Sequence, residues 1–508
     1  MLFRSHDRID SWNPTKIDPL VNLPGAYDFA GKCSGCNGKR NFGKRDFNNF
    51  GPRIGFAWQA FKDFTVRGAY TITYVGDDSG TALGSTPGFT TGGMGPDIVG
   101  AGLYDLAPNA LYPWQALFNW DDGFPLHRFF PATMNLSYAD TIGDAQMVDL
   151  RYGTTPYIQQ WNLNLQKQLP GKVLVDVGYI GNKGTKLRYP GLERLNQTPA
   201  SVIAQYGANL PRTITSAADA ARYGAPYPYP GFSGTVNSAL RQFPQLRGNS
   251  TVSNIGGNNG MSTYHSFNLI VNRQFHQGLS IYANWVWSKS INNMGGSMLD
   301  YYNRSLEKLI SSSDRPHAVK IFVQYQVPLG RGKQFATSML RVLDWVVGGW
   351  EVSGIANYSS GGPMGFGGAP GINGWNGGGN RVNVAPGELA LAVDKAGYNY
   401  ANRLSNPASN KYFNTSLISA PAPLSLGTAA PRFTYIRGWG SISEDIGLRK
   451  VFRVKEKYVT ALRADFLNAI NRHSLPGPNT SLTSAYFGYM TGSPSGNRVV
   501  EVSIKFDF

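Results

Sequence analysis

Residues 157–169 read YIQQWNLNLQKQL. Trp161, Leu163, Leu165 and Leu169 fall on one parity, and Gln160, Asn162, Asn164, Gln166 and Gln168 on the other. A period of two is the mark of a strand with one apolar and one polar face. The same alternation holds over 64–75, where Phe64, Val66, Tyr70, Ile72 and Tyr74 oppose Thr65, Arg67, Thr71 and Thr73. It holds over 279–291, with Leu279, Ile281, Trp285 and Trp287 against Ser280, Asn284, Ser288 and Ser290. Residues 317–328 set Val319, Ile321, Val323, Tyr325 and Val327 against Lys320, Gln324 and Gln326. Weaker alternation marks 51–61, 173–187, 262–276, 348–360, 441–453 and 458–470, and the last stretch, 498–508, is phased again. These make about eleven strands, longer than the five or six residues usual in a soluble sheet. About ten tilted residues are enough to cross a bilayer.

A soluble sandwich also alternates, so the connections decide. Short links fall at 62–63, 170–172, 276–278, 329–347 and 454–457; long ones fall at 76–156, 188–261, 292–316, 361–440 and 472–497. Short and long alternate without exception, as the periplasmic turns and outer loops of a transmembrane barrel do. Within 329–347, the run Ser338–Trp345 is expected to form one or two helical turns beneath the barrel. With the first strand running inward and the last ending in the periplasm, the count is odd, whereas bacterial single-chain barrels have even counts. No stretch of apolar residues like that of a signal peptide follows Met1. The two departures together suggest that part of the barrel is absent.

Composition agrees. In 508 residues, hydrophobic residues are 42%, which excludes a disordered chain. Charged residues are only 15% and aromatic residues 13%, against roughly 25% charged in an ordinary soluble domain. No apolar run is long enough for a membrane-spanning helix. The formal charge of +16 fits anionic partners such as lipid phosphates or an anionic solute, or simply loop charges that aid solubility. No recognition helix, zinc-finger spacing or RNA-recognition motif is present, so no specific nucleic acid partner is expected.

The phased set Val500, Val502, Ile504, Phe506 and Phe508 resembles the C-terminal assembly signal of bacterial outer-membrane proteins. Other runs resemble the TonB-dependent outer-membrane receptors, and among them the Oar-like barrel group. They are FNNFGPRIGFAW (47–58), YIQQWNLNLQKQL (157–169), YIGNKGTKL (179–187), STYHSFNLIVNRQF (262–275), WVWSKSI (285–291), DRPHAVKIFVQYQVPLGRGKQF (314–335), GGWEVSGI (348–355) and LRADFLNAIN (462–471). Each is weak alone, but the ordered set covers nearly every expected strand. The resemblance implies a barrel of ~22 strands with an N-terminal plug. About eleven strands would be half of it, without signal peptide, plug, TonB-contact segment or early strands.

The motifs also have a physical reading. Trp285 and Trp287 would face lipid, with Lys289 at headgroup level. In PLGRGK, Gly330 and Gly332 permit a tight turn, and Arg331 and Lys333 can meet lipid phosphates. Arg67, Lys320, Glu351, Arg449, Arg463 and Asp465 fall on the polar parity. They are the candidate substrate contacts of the lumen, and Arg463 and Asp465 can pair there, where a lone charge would be costly. Were the eleven strands to close on themselves, Phe61, Tyr282, Phe322, Lys320, Glu351, Arg449 and Arg463 would crowd the interior. An open half-sheet is the expected alternative.

Catalytic patterns are scarce. Cys33-Ser34-Gly35-Cys36 is the only cysteine pair. A local disulfide is expected, with free thiols or a metal site as alternatives, although further zinc ligands are lacking nearby. Ser305-Leu306-Glu307-Lys308 matches S-x-x-K without the partner elements of a penicillin-recognising site. Six dispersed histidines form no constellation, and His265 and His317 fall near strand ends. Gly76-Asp77-Asp78-Ser79-Gly80 could hold calcium weakly or be an Asp-rich turn. Gly361–Asn380 is expected as a flexible outer loop whose Phe366 and Trp375 either rest on the rim or stack on a sugar or other planar ligand.

The expected fold is thus all-β: an antiparallel transmembrane barrel portion of about eleven long strands, short periplasmic turns and long extracellular loops. Residues 1–50 form an extracellular loop or irregular segment, and 51–508 the C-terminal half of an outer-membrane barrel. The expected function is uptake or passage of a large solute by part of a TonB-dependent receptor; the alternative is a surface adhesion or binding protein anchored by its barrel. Neither is an enzyme, and no cofactor or metal is expected. The partners implied are outer-membrane lipid and lipopolysaccharide and the barrel assembly machinery. The TonB complex would be reached only through an N-terminal part that this sequence lacks.

Overall fold

In the structure, a computed structural model, the described residues are 10–32, 36–39, 42, 46–75, 89–90, 133–134, 145–148, 154–189, 195–246, 252–255, 257–295, 298–389, 398–406, 410–454 and 458–507. Cys33, Phe508 and the segment Gly76–Gly80 lie outside them.

Eleven long strands follow one another: β1 (Arg53–Phe61), β2 (Phe64–Tyr74), β3 (Tyr157–Leu169), β4 (Val173–Leu187), β5 (Gly260–His276), β6 (Leu279–Asn292), β7 (His317–Gln326), β8 (Trp350–Ser359), β9 (Ser441–Val454), β10 (Tyr458–Leu467) and β11 (Val499–Asp507). Each pairs antiparallel with the next in sequence, so the sheet is one uninterrupted meander, and the short strand Leu309–Ile310 adds to the end of β6. The 13 residues of β3 extend about 44 Å, enough to cross a hydrocarbon core of about 30 Å while tilted.

The short links close by turn chemistry. Gln277 and Gly278 both have positive φ, 51° and 81°, the backbone of a type I′ turn, whose twist matches that of the flanking strands. Strand glycines are covered by aromatic rings from across the ladder. A Cβ at Gly68 would collide with the Phe56 ring, and one at Gly181 with the Trp161 indole. The rings thus replace the packing that glycine lacks. The 327–349 link holds the expected helical turns, as a helix over Arg341–Val347.

Direct cross-strand partners share a face, so register sorts the two surfaces. One row runs Phe56, Gly68, Leu163, Tyr179, Phe267, Trp287, His317 across β1 to β7. It carries the apolar parity of each of these seven strands. The other face is mainly polar, with an aromatic–aliphatic row of Tyr282, Phe322 and Ile355. A bulge between Gln59 and Phe61 corrects the placement of Phe61. Its ring sits 6.2 Å from that of Phe64, on the apolar side rather than inside.

The path ends at β1 and β11, and no ladder joins these two among the described residues. Ile54, Phe56, Trp58, Val502, Ile504 and Phe506 on the two edges are exposed.

The sheet holds little of the buried apolar core. That lies in the long connections. Within residues 1–50, expected as an extracellular loop or irregular segment, Asp10–Ile17 and Pro24–Phe29 form a hairpin. Its Trp12, Tyr27 and Phe29 pack with Phe243, Leu246 and Val252. A second core joins Val202, Ile203, Leu210, Leu299 and Trp375, and a third joins Val382, Leu389, Phe413, Phe433 and Ile436. Polar bonds lock the loops together: Asn376 donates to the Asn196 carbonyl at 2.7 Å, and Arg381 pairs with Glu307 at 3.2 Å.

Candidate functional site: the polar face of the last five strands

Register places Gln326, Glu351, Arg449, Arg463 and Ser503 in one row across β7 to β11. All five side chains are therefore brought together by four consecutive ladders, not by sequence proximity. Gln326 Nε2 donates to Glu351 Oε1 at 3.0 Å, and Arg449 Nη1 donates to Glu351 Oε2 at 2.9 Å. Arg449 and Arg463 are direct cross-strand neighbours, an unfavourable like-charge arrangement unless each has a counter-ion. Each does. Arg463 Nε donates to Asp465 Oδ2 at 2.7 Å, two residues along the same face. Glu351, Arg449, Arg463 and Ser503 of this row line a groove of about 560 Å³, to which Phe322, Gln324 and Lys505 also contribute.

This geometry gathers four of the six expected lumen charges: Glu351, Arg449, Arg463 and Asp465. Lys320 lies on the same face of β7 but opposite Asn284 and Asn357, outside the groove. Arg67 sits on β2 opposite Ala57 and Asn164, far along the sheet order from the cluster. Gln326, Ser503 and Lys505 join the cluster, and their polar parity is legible in the sequence. What the sequence did not carry is the register that aligns them. The surface can hold an anionic or hydrogen-bonding solute through the arginines and Lys505, with Phe322 as an apolar floor.

The apolar face carries a girdle near the long-loop ends of the strands. His265 stacks on Tyr179 with centroids 6.0 Å apart, and His317 stacks on Trp285, also at 6.0 Å. Tyr and Trp at such a level suit a membrane–water interface. On β11, Val500, Val502, Ile504 and Phe506 share the apolar face by register with Phe466, Ala464, Leu462 and Thr460.

One expectation for the loops is corrected. Gly361–Asn380 does not present Phe366 and Trp375 for stacking on a ligand or for resting on the rim. Trp375 is 9% exposed in the second loop core, and its Nε1 donates to the Thr198 carbonyl at 3.1 Å. Phe366 packs edge-on against Phe413, with centroids 5.0 Å apart. A glycine-rich segment is flexible only when nothing packs on it, and here residues from distant loops do. Of the cysteine pair, Cys36 packs against the Trp12 core, while Cys33 is outside the described residues.

Ser305 of the S-x-x-K match bonds Asn303 Oδ1 at 2.6 Å, and Glu307 is buried against Arg381 and the Leu299 N–H. Among the described residues no cluster of three or more His, Cys, Asp or Glu is placed to hold a metal. No helix among them is long and apolar enough to cross a membrane, which says nothing of strands.

A two-faced antiparallel meander of long strands, with turns at one end and large loops at the other, is the wall of a membrane β-barrel. The chain belongs to the outer membrane beta barrel domain family, whose model matches residues 2–501. It is accordingly a protein of the outer membrane.

No curated protein matches it. Solved structures do, at low identity. The outer membrane transporter YddB from Escherichia coli is 11% identical, with 89% of this chain and 40% of that one covered and a TM-score of 0.38. The ferripyoverdine receptor of Pseudomonas aeruginosa is 9% identical, with 95% and 35% covered and a TM-score of 0.34. The FrpB iron transporter from Neisseria meningitidis is 9% identical, with 90% and 39% covered and a TM-score of 0.34. The chain spans between a third and two fifths of the length of these structures.

Proposed function

We propose that this chain forms the C-terminal half of an outer-membrane uptake receptor of the TonB-dependent type, in the Oar-like group, and that it passes a large solute. The observation that carries the reading is the ion-paired row Gln326–Glu351–Arg449–Arg463–Ser503 on the polar face. Charges on a membrane wall are retained where they line a solute path and are paired when the path is empty. The two open edges fit the same reading, since an unpaired strand edge cannot face hydrocarbon. Further strands would complete the wall, and energy coupling would require a TonB-contact segment. In that arrangement Arg449, Arg463 and Lys505 contact solute.

The test is conductance and liposome swelling with the complete receptor in planar and vesicle membranes. A plugged or gated pore whose conductance changes when Arg449 and Arg463 become Gln is expected. A wall with no conductance in any state, and no change in the variants, would overturn transport. The interlocked loops, with apolar cores of their own, favour a second reading as a surface-binding protein anchored by the barrel. That reading predicts ligand capture by cells that survives the same substitutions.

A further inference from the structure

Among the described residues, the link 327–349 between β7 and β8 is the one short connection with a folded element, the helix Arg341–Val347. Seven residues make a helix that is marginal by itself. Here the sheet holds it. Trp350 Nε1 donates to the Val346 carbonyl at 2.9 Å, and Lys450 Nζ caps the helix end by bonding the carbonyls of Val346 and Gly348. Trp350 and Lys450 are register partners on the apolar face. The helix is therefore pinned to the side of the wall that meets lipid, at its short-link end.

From that position it buries none of its own side chains. Leu340 is 73% exposed, Val342 76% and Val346 66%, and Leu343 and Trp345 are exposed as well. Such an apolar surface in water is unfavourable and marks an interaction site. Its charges are mostly positive. The link contains Arg331, Lys333 and Arg341 against the single acid Asp344. Asp344 is already engaged, with Oδ1 accepting the Arg331 backbone N–H at 2.7 Å. The three cations border a cleft of about 580 Å³ between helix and strand ends.

We infer that this link is an interfacial anchor for anionic phospholipid of the inner leaflet. Leu340, Val342, Leu343, Trp345 and Val346 lie in the acyl boundary, and Arg331, Lys333 and Arg341 hold the headgroup phosphates. Three features of the structure select lipid as the occupant: the continuity of the helix with the lipid-facing wall, the cationic rim, and membership of an outer-membrane family. Apolar and cationic residues arranged in this way are those of a helix lying in the interface plane. The assignment is independent of whether the barrel transports.

The test uses the full chain in nanodiscs of phosphatidylcholine, with or without phosphatidylglycerol. Trp345 is isolated by subtracting the emission of the Trp345→Phe variant. Quenching of Trp345 by lipid brominated near the headgroup, with protection from aqueous iodide, is expected. Preferential retention of phosphatidylglycerol after detergent extraction should fall roughly fivefold for each of Arg331→Gln, Lys333→Gln and Arg341→Gln. These side chains do not hold the helix to the wall, so assembly should be unaffected, and strand content by circular dichroism checks it. Trp345 open to iodide in every lipid would overturn the anchor. Lipid quenching without phosphatidylglycerol preference would overturn the headgroup assignment. Protection from both quenchers would instead show a second protein copy covering the helix.

Discussion

Arg437 donates through Nη2 to Asp314 Oδ2 at 2.7 Å, and the Asp314 side chain is 1% exposed. The pair spans 123 positions of sequence. Asp314 also accepts the Ser290 N–H at 2.6 Å, at the outer part of β6, while Arg437 Nη1 donates to the Gly361 carbonyl at 3.2 Å. One carboxylate thus fastens the 360–440 loop to the loop before β7 and to the sheet.

Asp314→Ala should be among the most damaging single changes in the loops. It leaves a guanidinium with little solvent and only the carbonyls of Thr434, residue 314 and Gly361 as partners. Removal of one member of a buried pair costs about 3–5 kcal/mol. Urea unfolding followed by loop proteolysis reads this, and a cost near that of a surface substitution would show that the knot carries no load.

The two faces differ in what they accept. Val323 lies on the apolar face opposite Gly354 and Ile281, and Gln324 on the polar face opposite Ser353 and Ser280. Val323→Arg should destabilise the inserted protein by about 2–4 kcal/mol, and Gln324→Arg by little. Equal costs in bilayer unfolding titrations would contradict the assignment of faces.

Trp375→Ala should open a cavity among Val202, Ile203, Leu210 and Leu299 and strand the Thr198 carbonyl. Loss of a buried Trp costs about 3–5 kcal/mol. The expected phenotype is early proteolysis within 361–380 while the heat-modifiable electrophoretic shift of the barrel persists. Unchanged proteolysis would indicate that the loop core is not formed in the membrane.

Tyr412 provides a pH signature. Burial pushes its phenol up to about 12 from the ordinary 10.0, while its hydroxyl donates to the Arg437 carbonyl. The native value exceeds the unfolded one, so the stabilisation is complete below pH 10 and is lost as pH rises through about 12. Alkaline melting curves should fall more steeply for the native chain than for Tyr412→Phe between these values. Identical slopes would place the phenol in solvent.

The sequence is most informative where structure is locally encoded. The spans 157–169 and 173–187 coincide with β3 and β4, because a strand's faces repeat every two residues and its ends are written in Pro170-Gly171-Lys172. Bulges and frayed ends lie outside that period, so β1 begins at Arg53 and Phe61 turns to the apolar side.

The sequence by itself determined the two-faced strands, their number, the alternation of short and long links and the membrane class. Each depends on periods and turns a few residues long. Only the tertiary structure decided which loop residues are buried, since Trp375 meets Thr198 across 177 positions and no local pattern announces such a partner. Likewise it alone aligned Gln326, Glu351, Arg449, Arg463 and Ser503, because ladder register is set jointly by neighbouring strands. It also seated the Arg341–Val347 helix on the lipid-facing side through Lys450, a residue more than a hundred positions downstream of Gly348 in chain contact terms. Parity is a property of one segment, whereas burial and register are properties of pairs.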